Sequence, residues 1–550
     1  MTRNIVVLSG RVASGKSSLA AGLVERHNAV RISTRDLLVQ HAKSAGHPLT
    51  EKRRSLQEYG TKLDSDSAGK WIVEALIPVL YGLPDDQVVV LDSVRLSEQL
   101  DELRRTFGRT VVHVHVTAFD EDLEERFKSR ADGIDSETSY EAVARDLTER
   151  QVESLAPLAD LHVNTSVTDI ADVLVRCAAR IGLLTPLDSK LVDVLVGGQY
   201  GSEGKGNLAY YLAPEYDVLV RVGGPNAGHK VPSDPVMTHR SLPSGSLSNL
   251  KARLFIGAGA VISPAILAAE IRRSGISPER ISIDPQAMVI SGADVRAERG
   301  LKKAIGSTGQ GVGAALARKI NGRSDKGLVL ARDSKELRPF VGPRVTDLLE
   351  ESFSRGERVM LEGTQGTGLS LHHGQYPHVT SRDTSAAGCL SEAGIGLSRV
   401  RRVIMVVRSY PIRVQGPSGP IGKEVDWSDI SRRSGLPEAE LRVSEKSSVQ
   451  QKLRRVAEFD WKALRANAQL NTPTDIALTF ADYLQESNSK AFRFDQLHVN
   501  TREFIEEIES VTSAPVSLIA GRFTARSVID RRRWRGQVQF DSNASGGDVL

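Results

Sequence analysis

Cysteine is all but missing: Cys177 and Cys389 are the two in 550 residues, far apart and with neither a CxxC nor a Cys/His ligand spacing. That argues against a disulfide framework and against a zinc site. Aromatic residues make up only 5 %, and no apolar run approaches the ~20 residues that a membrane-spanning helix needs. The short apolar run at 5–8 ends in Ser-Gly instead of a signal-peptide cleavage site, so a reducing, cytoplasmic location is expected. A strong charge of either sign is missing as well. Seventy-two Lys and Arg against 68 Asp and Glu leave +4, too mild for a dedicated nucleic-acid or membrane surface. Phosphorylated small molecules stay open as partners.

What is present suits a globular α/β enzyme: 40 % hydrophobic and 25 % charged residues, with 47 glycines. The chain is too long for one hydrophobic core, and at about 150 residues per domain it implies three or four units of structure. Two segments repeat one grammar of apolar strand, glycine-rich turn with Gly-Lys, and helix. The first runs from 5–8 into 10–17, the second from 192–196 into 197–206, and each opens a domain. In the first, 88–91 and 110–116 read as buried strands on either side of a charged helix at 96–105, the alternation of a parallel sheet. The second continues with strands at 218–222, 253–256, 358–361 and 403–407. An amphipathic helix at 170–181 precedes a Pro-containing linker at 184–190. The expected domains are therefore 1–183 and 191–536, with a loose polar tail at 537–550.

Residues 10–17 (GRVASGKS) satisfy GxxxxGK[ST] after a strand and before a helix. Gly10 and Gly15 let backbone N–H groups wrap a triphosphate, Lys16 pairs with its outer phosphates, and the Ser17 hydroxyl holds Mg²⁺. Asp92, closing the run VVVL, is placed to reach the metal or a second substrate. After the loop come Arg53-Arg54-x-Leu-Gln-x-x-Gly60, then LDSVR at 91–95, a helix and VVHVHV. This order resembles the deoxynucleoside monophosphate kinases of phages over residues 1–183. The resemblance implies a three-layer phosphate-loop fold, an acceptor phosphate clamped by Arg53, Arg54 and Arg95, and a lid among Arg126, Arg130 and Arg145.

Residues 197–206 (GGQYGSEGKG) bracket their lysine with single glycines, alone a weak signal for an anion loop. Four later segments raise its weight: VRVGGPNAGH at 220–229, GSTGQGVG at 306–313, EGTQG at 362–366 and GQYPHVTS at 374–381. In this order and spacing they resemble the adenylosuccinate synthetase family, whose signatures are WGDEGKGK, NNAGHT, GTTGRGIGP, EGAQGT and YPYVTSS, over about 190–535. That family joins aspartate to the 6-carbon of a 6-oxopurine nucleotide after a nucleoside triphosphate has phosphorylated the 6-oxygen, which makes a poor leaving group a good one. The resemblance implies a large α/β domain in which Gly201, Gly204, Lys205 and Gly206 cradle the donor phosphates. It places Mg²⁺ near Ser202 and the Gly228 carbonyl. It casts His229 as the group that steadies charge on the transferring phosphoryl group and the 6-oxygen. Asn226, Thr308, Gln365 and Thr380 fall where the family holds the nucleotide's base and phosphate, Gln365 and Lys205 counting with Ser202 and His229 as catalytic. Lys319 matches a lysine of the GTTGRG helix, whereas the arginine that reaches a neighbouring subunit appears as Gly322 with Arg323 beside it, and a homodimer is the expectation.

The departures are as informative. Ser202 stands where the family has the aspartate that takes the purine N1 proton, and a serine is far too weak an acid for its conjugate to do so at neutral pH. Its small size leaves room for a 2-amino group, and the same exchange marks the branch of the family that makes 2-aminoadenylosuccinate from dGMP. Against this, a carboxylate is ordinarily a good partner for guanine's N1–H and 2-amino group. The family's LTKLD becomes LTFAD at 478–482, which keeps Asp482 for the donor base but replaces a lysine by Phe480, able to stack on a purine or to be core. ATP or dATP becomes as good a candidate donor as GTP. The aspartate loop corresponds to 447–455, where Lys452, Arg454 and Arg455 can hold a dicarboxylate but Gln450 and Gln451 replace threonines.

Three functions follow as expectations. The first is a fused enzyme, a nucleoside monophosphate kinase joined to a ligase that adds L-aspartate to dGMP or GMP using Mg²⁺ and a nucleoside triphosphate. The second is an ordinary IMP-using ligase in which water or Glu203 replaces the lost base. The third is a nucleotide sensor that keeps both loops without the chemistry.

Overall fold

The computed structural model describes residues 3–47, 49, 53–129, 140, 151–325, 327–446 and 453–532, without the side chains of Arg53 and Arg54. The tail expected at 537–550, and with it Arg130, Arg145 and Lys452, lies outside the described residues. The chain divides into two compact units, Met1–Thr185 and Pro186–Leu550.

The N-terminal unit is a five-stranded, all-parallel sheet of β1 (Ile5–Ser9), β2 (Val30–Ser33), β3 (Val89–Asp92), β4 (Val111–Thr117) and β5 (Leu161–Asn164), in the order β2-β3-β1-β4-β5. β1 is buried throughout, and the strand period of two splits it between two cores. Ile5 and Val7 pack with Trp71, Leu76 and Leu91, whereas Val6 and Leu8 pack with Leu19, Leu23 and Val114. Each such side chain contributes about 1.5–3 kcal/mol on burial, which is why an unbroken apolar run makes a central strand with helices on both faces. Parallel strands end on one edge, so the loop after β1 and Asp92 at the end of β3 share the carboxyl edge of the sheet.

The C-terminal unit is built on a nine-stranded sheet. Its spatial order is Ile281–Ile283, Arg253–Ile256, Val218–Arg221, Val359–Glu362, Val192–Gly197, Val400–Arg408, Asp475–Thr479, Val516–Ala520 and Val528–Asp530. Every neighbouring pair is parallel except the last. Alternation again divides the faces: Val192, Val194 and Val196 belong to one core, and Leu195 with Met360, Ile404 and Val406 to the other. Beside this sheet a small antiparallel one, Ile412–Val414, Arg454–Ala457 and Glu424–Val425, carries Arg454 and Arg455. The fold class is α/β in both units, as the alternation of apolar runs and helices implied.

Candidate active site

In the N-terminal unit the phosphate loop ends on Gly15, whose φ of 104° is left-handed, a conformation that costs glycine little. The chain thereby enters the helix Lys16–His27 with Lys16 as its first residue and the helix N–H groups facing the loop. Lys16 Nζ donates to the carbonyls of Gly10 and Arg11, both at 2.7 Å. The Arg31 guanidinium lies 2.6 Å from Asp92 Oδ2 and 3.5 Å from Ser17 Oγ, so a positive group already spans the hydroxyl and the carboxylate. That all-oxygen pair fits Mg²⁺ arriving with nucleotide phosphates. Arg126 donates to Thr165 Oγ1 (2.8 Å) and O (3.0 Å), and Thr165 Oγ1 donates to the Ser14 carbonyl (2.9 Å), which fixes Arg126 beside the loop. Behind the loop, Ser9 Oγ bonds His113 Nε2 (2.6 Å) and His115 Nδ1 (2.7 Å), and burial with the neighbouring His113 pushes His115 down to about 4. The loop, Asp92 and Arg95 line one cavity of about 1470 Å³.

The second loop repeats the construction. Gly204, φ 82°, turns the chain into the helix Lys205–Leu212. Lys205 is 1 % exposed and its Nζ lies 2.7 Å from Glu203 Oε2. Glu203 Oε1 accepts from the N–H groups of Gln199 (3.0 Å) and Gly201 (2.7 Å), so this glutamate draws the loop around itself with both oxygens engaged. A cavity of about 410 Å³ beside it brings together Ser202, Asn226, Gly228, Thr308, Gln365, Thr380 and Arg454. The Ser202 hydroxyl and the Gly228 carbonyl offer Mg²⁺ the oxygen donors it prefers. Gln365 Nε2 donates to Thr380 Oγ1 (2.7 Å) and Asn226 Nδ2 approaches the same oxygen (3.4 Å). Gln365 Oε1 and Asn226 Oδ1 are buried without a partner among the described residues, the condition of groups that complete their hydrogen bonds on a ligand.

His229 sits in a network that sequence reasoning did not find. Its Nδ1 is 2.5 Å from Glu362 Oε1, which also accepts from Arg221 Nη1 (2.7 Å) and Ser244 Oγ (2.5 Å), while Ser244 N–H donates to Glu362 Oε2 (2.7 Å). A carboxylate is acceptor-only, so Nδ1 carries the proton and the neutral ring presents a bare Nε2, which is buried and has no partner among the described residues. Burial and the Arg221 charge push His229 down to about 4 against the pull of Glu362. Burial raises Glu362, but the Arg221 charge and the His229 and Ser244 hydrogen bonds override it and hold the acid at about 2. The available signal was a charged residue closing an otherwise apolar strand, Arg221 after VLV and Glu362 after VML.

The remaining expected residues lie as follows. Lys319 Nζ donates to the carbonyls of Gln286 (2.7 Å) and Ala258 (3.4 Å) and does not line the cavity. Arg455 pairs with Glu424 (2.9 Å) and donates to the Gly419 carbonyl (2.8 Å). Arg454 Nη1 reaches Glu445 Oε2 (3.3 Å), whose other oxygen accepts from Arg408 Nη2 and Tyr483 OH, both at 2.8 Å. Arg408 Nη1 in turn donates to the Ser202 carbonyl (3.3 Å), so a buried chain of charge joins position 202 to the basic strand. Phe480 gives one face to the Arg408 guanidinium, 3.9 Å from the ring centroid, and an edge contact to Tyr483, which answers the choice between stacking and core in favour of protein packing on that face. Asp482 is buried, its Oδ1 has no partner among the described residues, and burial pushes its acid up to about 6. Among the described residues Glu298 is the one acidic residue lining the cavity, and its carboxylate accepts from the N–H groups of Gly311 (2.7 Å), Gly313 (2.6 Å) and Ala314 (3.2 Å).

The family model "Adenylosuccinate synthetase" matches residues 194–337 and 325–491. An adenylosuccinate synthetase of Thermococcus onnurineus is 37 % identical over 351 residues, 62 % of this chain and 98 % of its own. The solved succinoaminodeoxyadenylate synthetase of cyanophage S-2L, bound to dGMP and to dATP as an energy donor, is 27 % identical with a TM-score of 0.52, covering 64 % of this chain and 99 % of that one. The fully ligated adenylosuccinate synthetase of Plasmodium falciparum shares the fold at 21 % identity and a TM-score of 0.55, over 62 % of this chain and 100 % of its own.

Proposed function

The chain belongs to the adenylosuccinate synthetase family, and from that premise we propose that its C-terminal unit joins L-aspartate to C6 of dGMP or GMP while its N-terminal unit phosphorylates a nucleoside monophosphate. The observation that carries the guanine reading is position 202. A serine lines the base cavity there, and among the described residues the carboxylates beside it are already engaged: Glu203 on Lys205 and two loop amides, Glu298 on three backbone N–H groups. The space that an aspartate would fill admits a 2-amino group, and the 27 % identical S-2L enzyme was solved with dGMP.

The proton on purine N1 then needs another acceptor. We assign that role to the bare Nε2 of His229: burial and the Arg221 charge lower its basicity, and Glu362 opposes them by steadying the imidazolium as it forms. The same imidazolium donates to the oxygens on which charge gathers during transfer. The 6-oxygen attacks the donor's γ-phosphorus, the bond to the bridging oxygen breaks, and the nucleoside diphosphate departs with the electron pair. The aspartate amine next attacks C6, and phosphate leaves with the C6–O pair. Lys205 and the N–H groups of its helix bind the donor phosphates, and Mg²⁺ held by Ser202 and the Gly228 carbonyl would neutralise their charge. Arg454, steadied by Glu445, holds the dicarboxylate of aspartate. Asp482 reads the donor base, ATP, dATP or GTP, and a homodimer remains the expected assembly.

The test is a product-mass panel. Purified protein with aspartate and Mg²⁺ receives ATP, dATP or GTP against IMP, dIMP, GMP or dGMP. The expected result is a succinylated product from the guanylates. A product from IMP and dIMP alone would assign the ordinary reaction, and tight binding without turnover would assign a sensor.

A further inference from the structure

The N-terminal cavity has a second end, away from the phosphate loop, and its chemistry is specific. Trp71 Nε1 donates to Asp64 Oδ1 at 2.6 Å, and Gln99 Nε2 donates to the same oxygen at 2.9 Å. The orientation of Gln99 is fixed because its Oε1 accepts the Arg95 N–H at 3.0 Å, so the amide nitrogen must face Asp64. Trp71 and Gln99 are 2 % and 3 % exposed. Two buried donors thus saturate Oδ1 of a half-buried carboxylate that lines the cavity, and Oδ2 accepts from no group among the described residues. Burial raises the Asp64 acid, and the indole and amide hydrogen bonds work against that rise. Leu38 and Leu56 provide apolar lining in the same cavity, and Lys16, Arg35, Asp92 and Arg95 lie along the carboxyl edge of β1, β2 and β3. About 1470 Å³ is room for a triphosphate and a second nucleotide together.

We propose that Asp64 Oδ2 reads the guanine base of the acceptor, so that the N-terminal unit is a guanylate kinase acting on the same nucleotide that the C-terminal unit consumes. This deepens, and rests on, the kinase reading above. Guanine is the base whose hydrogen-bonding edge presents two adjacent donors, N1–H and the 2-amino group. An ionised carboxylate can only accept. Adenine and cytosine place a ring-nitrogen acceptor beside their amine, and thymine flanks its single N–H with two carbonyls, each of which the carboxylate repels. In the transfer an oxygen of the acceptor's α-phosphate attacks the γ-phosphorus of ATP, the bond from that phosphorus to the β,γ-bridging oxygen breaks, and ADP leaves with the electron pair. The products are ADP and a guanosine diphosphate, with no other reactant required.

The experiment uses the full chain with ATP and Mg²⁺, without aspartate, and reads the nucleoside diphosphates formed from dGMP, GMP, dIMP, dAMP, dCMP and dTMP by chromatography against standards, because dGDP and ADP share one mass. A 6-phosphoryl species has the same mass as the 5′-diphosphate, and a mild-acid step separates the two: the 5′-diphosphate survives it and the labile 6-phosphoryl species does not. The guanylates are expected to react with kcat/KM about 10- to 100-fold above dIMP, which lacks only the 2-amino group, and further above the rest. Lys16→Ala abolishes this product, and Asp64→Asn, which turns an acceptor into a mixed group, removes the preference for dGMP over dIMP. Lys16-dependent diphosphate formed from adenylate, cytidylate or thymidylate as fast as from guanylate overturns the assignment of Asp64 and leaves the kinase reading standing. No Lys16-dependent diphosphate from any acceptor overturns both. Because the acceptor panel is decisive on the unaltered protein, a poorly folding Asp64 variant does not blunt the test.

Discussion

His229 Nδ1 lies 2.5 Å from Glu362 Oε1, and 133 residues of chain separate the two. The pair makes the imidazole a one-sided base, with its proton pinned on Nδ1 and Nε2 left bare inside the protein. Glu362→Gln keeps the shape but offers an amide that can equally donate to Nδ1, which moves the ring proton to Nε2. The expected loss is about 10²- to 10⁴-fold in kcat with the nucleotide KM changed less than about threefold, as for other histidines that lose their orienting acid. Steady-state kinetics on the best acceptor decide it, and a loss confined to KM would remove Glu362 from the reaction.

The pH dependence of stability has a definite sign. His229 stays neutral in the folded chain down to about 4, whereas a histidine in an unfolded chain titrates near about 6.5. Between those values the unfolded chain binds the extra proton. The contribution of His229 is therefore complete above about 6.5 and is lost as pH falls toward 4. Urea midpoints at pH 7.5 and pH 5 are expected to separate more for the wild type than for His229→Asn, and equal separations would show that the ring titrates normally.

Restoring the family's residue tests the steric account. Ser202→Asp is expected to shift preference from dGMP toward IMP by about tenfold or more in the ratio of kcat/KM, because it supplies an N1 base while filling the space beside the 2-amino group. Unchanged dGMP use would mean that the amine lies elsewhere.

Donor choice should follow pH through Asp482. Burial pushes that acid up to about 6, so below pH 6 it is a donor and acceptor, matched to adenine's N1 and 6-amino pair, and above it an acceptor only, matched to guanine's N1–H and 2-amino pair. The ratio of dATP to GTP turnover is expected to fall as pH rises from 5 to 7, and to become flat in Asp482→Asn.

Legibility in the sequence tracked locality. Central strands such as Ile5–Ser9 and Val192–Gly197 announce themselves as unbroken apolar runs because both their faces are covered. The edge strands Val30–Ser33 and Leu161–Asn164 do not, since Arg31 and His162 interrupt four-residue runs that are buried on one side only. Both phosphate loops could be read because their Gly-Lys spacing is contained in one turn. The Arg221–Glu362 pair spans 141 residues and the Arg408–Glu445 pair 37, and nothing short of the fold brings either together. Asp64 is illegible for the opposite reason: it lies on a helix rich in charged residues and is singled out only by two buried donors that reach it.

The chain Ser202–Arg408–Glu445–Arg454 predicts a coupled defect. Arg408 and Glu445 are 1 % and 2 % exposed at their side chains, so Glu445 is the buried counter-charge for two guanidinium groups and holds one of them at the wall of the base cavity. Burial would raise the Glu445 acid, but the charges of Arg408 and Arg454 lower it, so it is ionised when the enzyme works. Glu445→Gln leaves those two positive groups without a balancing charge and costs about 3–5 kcal/mol of stability, the usual consequence of removing one partner from a buried pair. Because Arg454 is then free to turn away from the dicarboxylate, the KM for aspartate is expected to rise by about tenfold or more, while the KM for the triphosphate, bound at Lys205, stays within about threefold. Kinetics with aspartate and triphosphate varied in turn separate these effects. A variant that unfolds earlier in urea yet keeps its aspartate KM would show that Glu445 serves the fold alone and that the dicarboxylate is held by other groups.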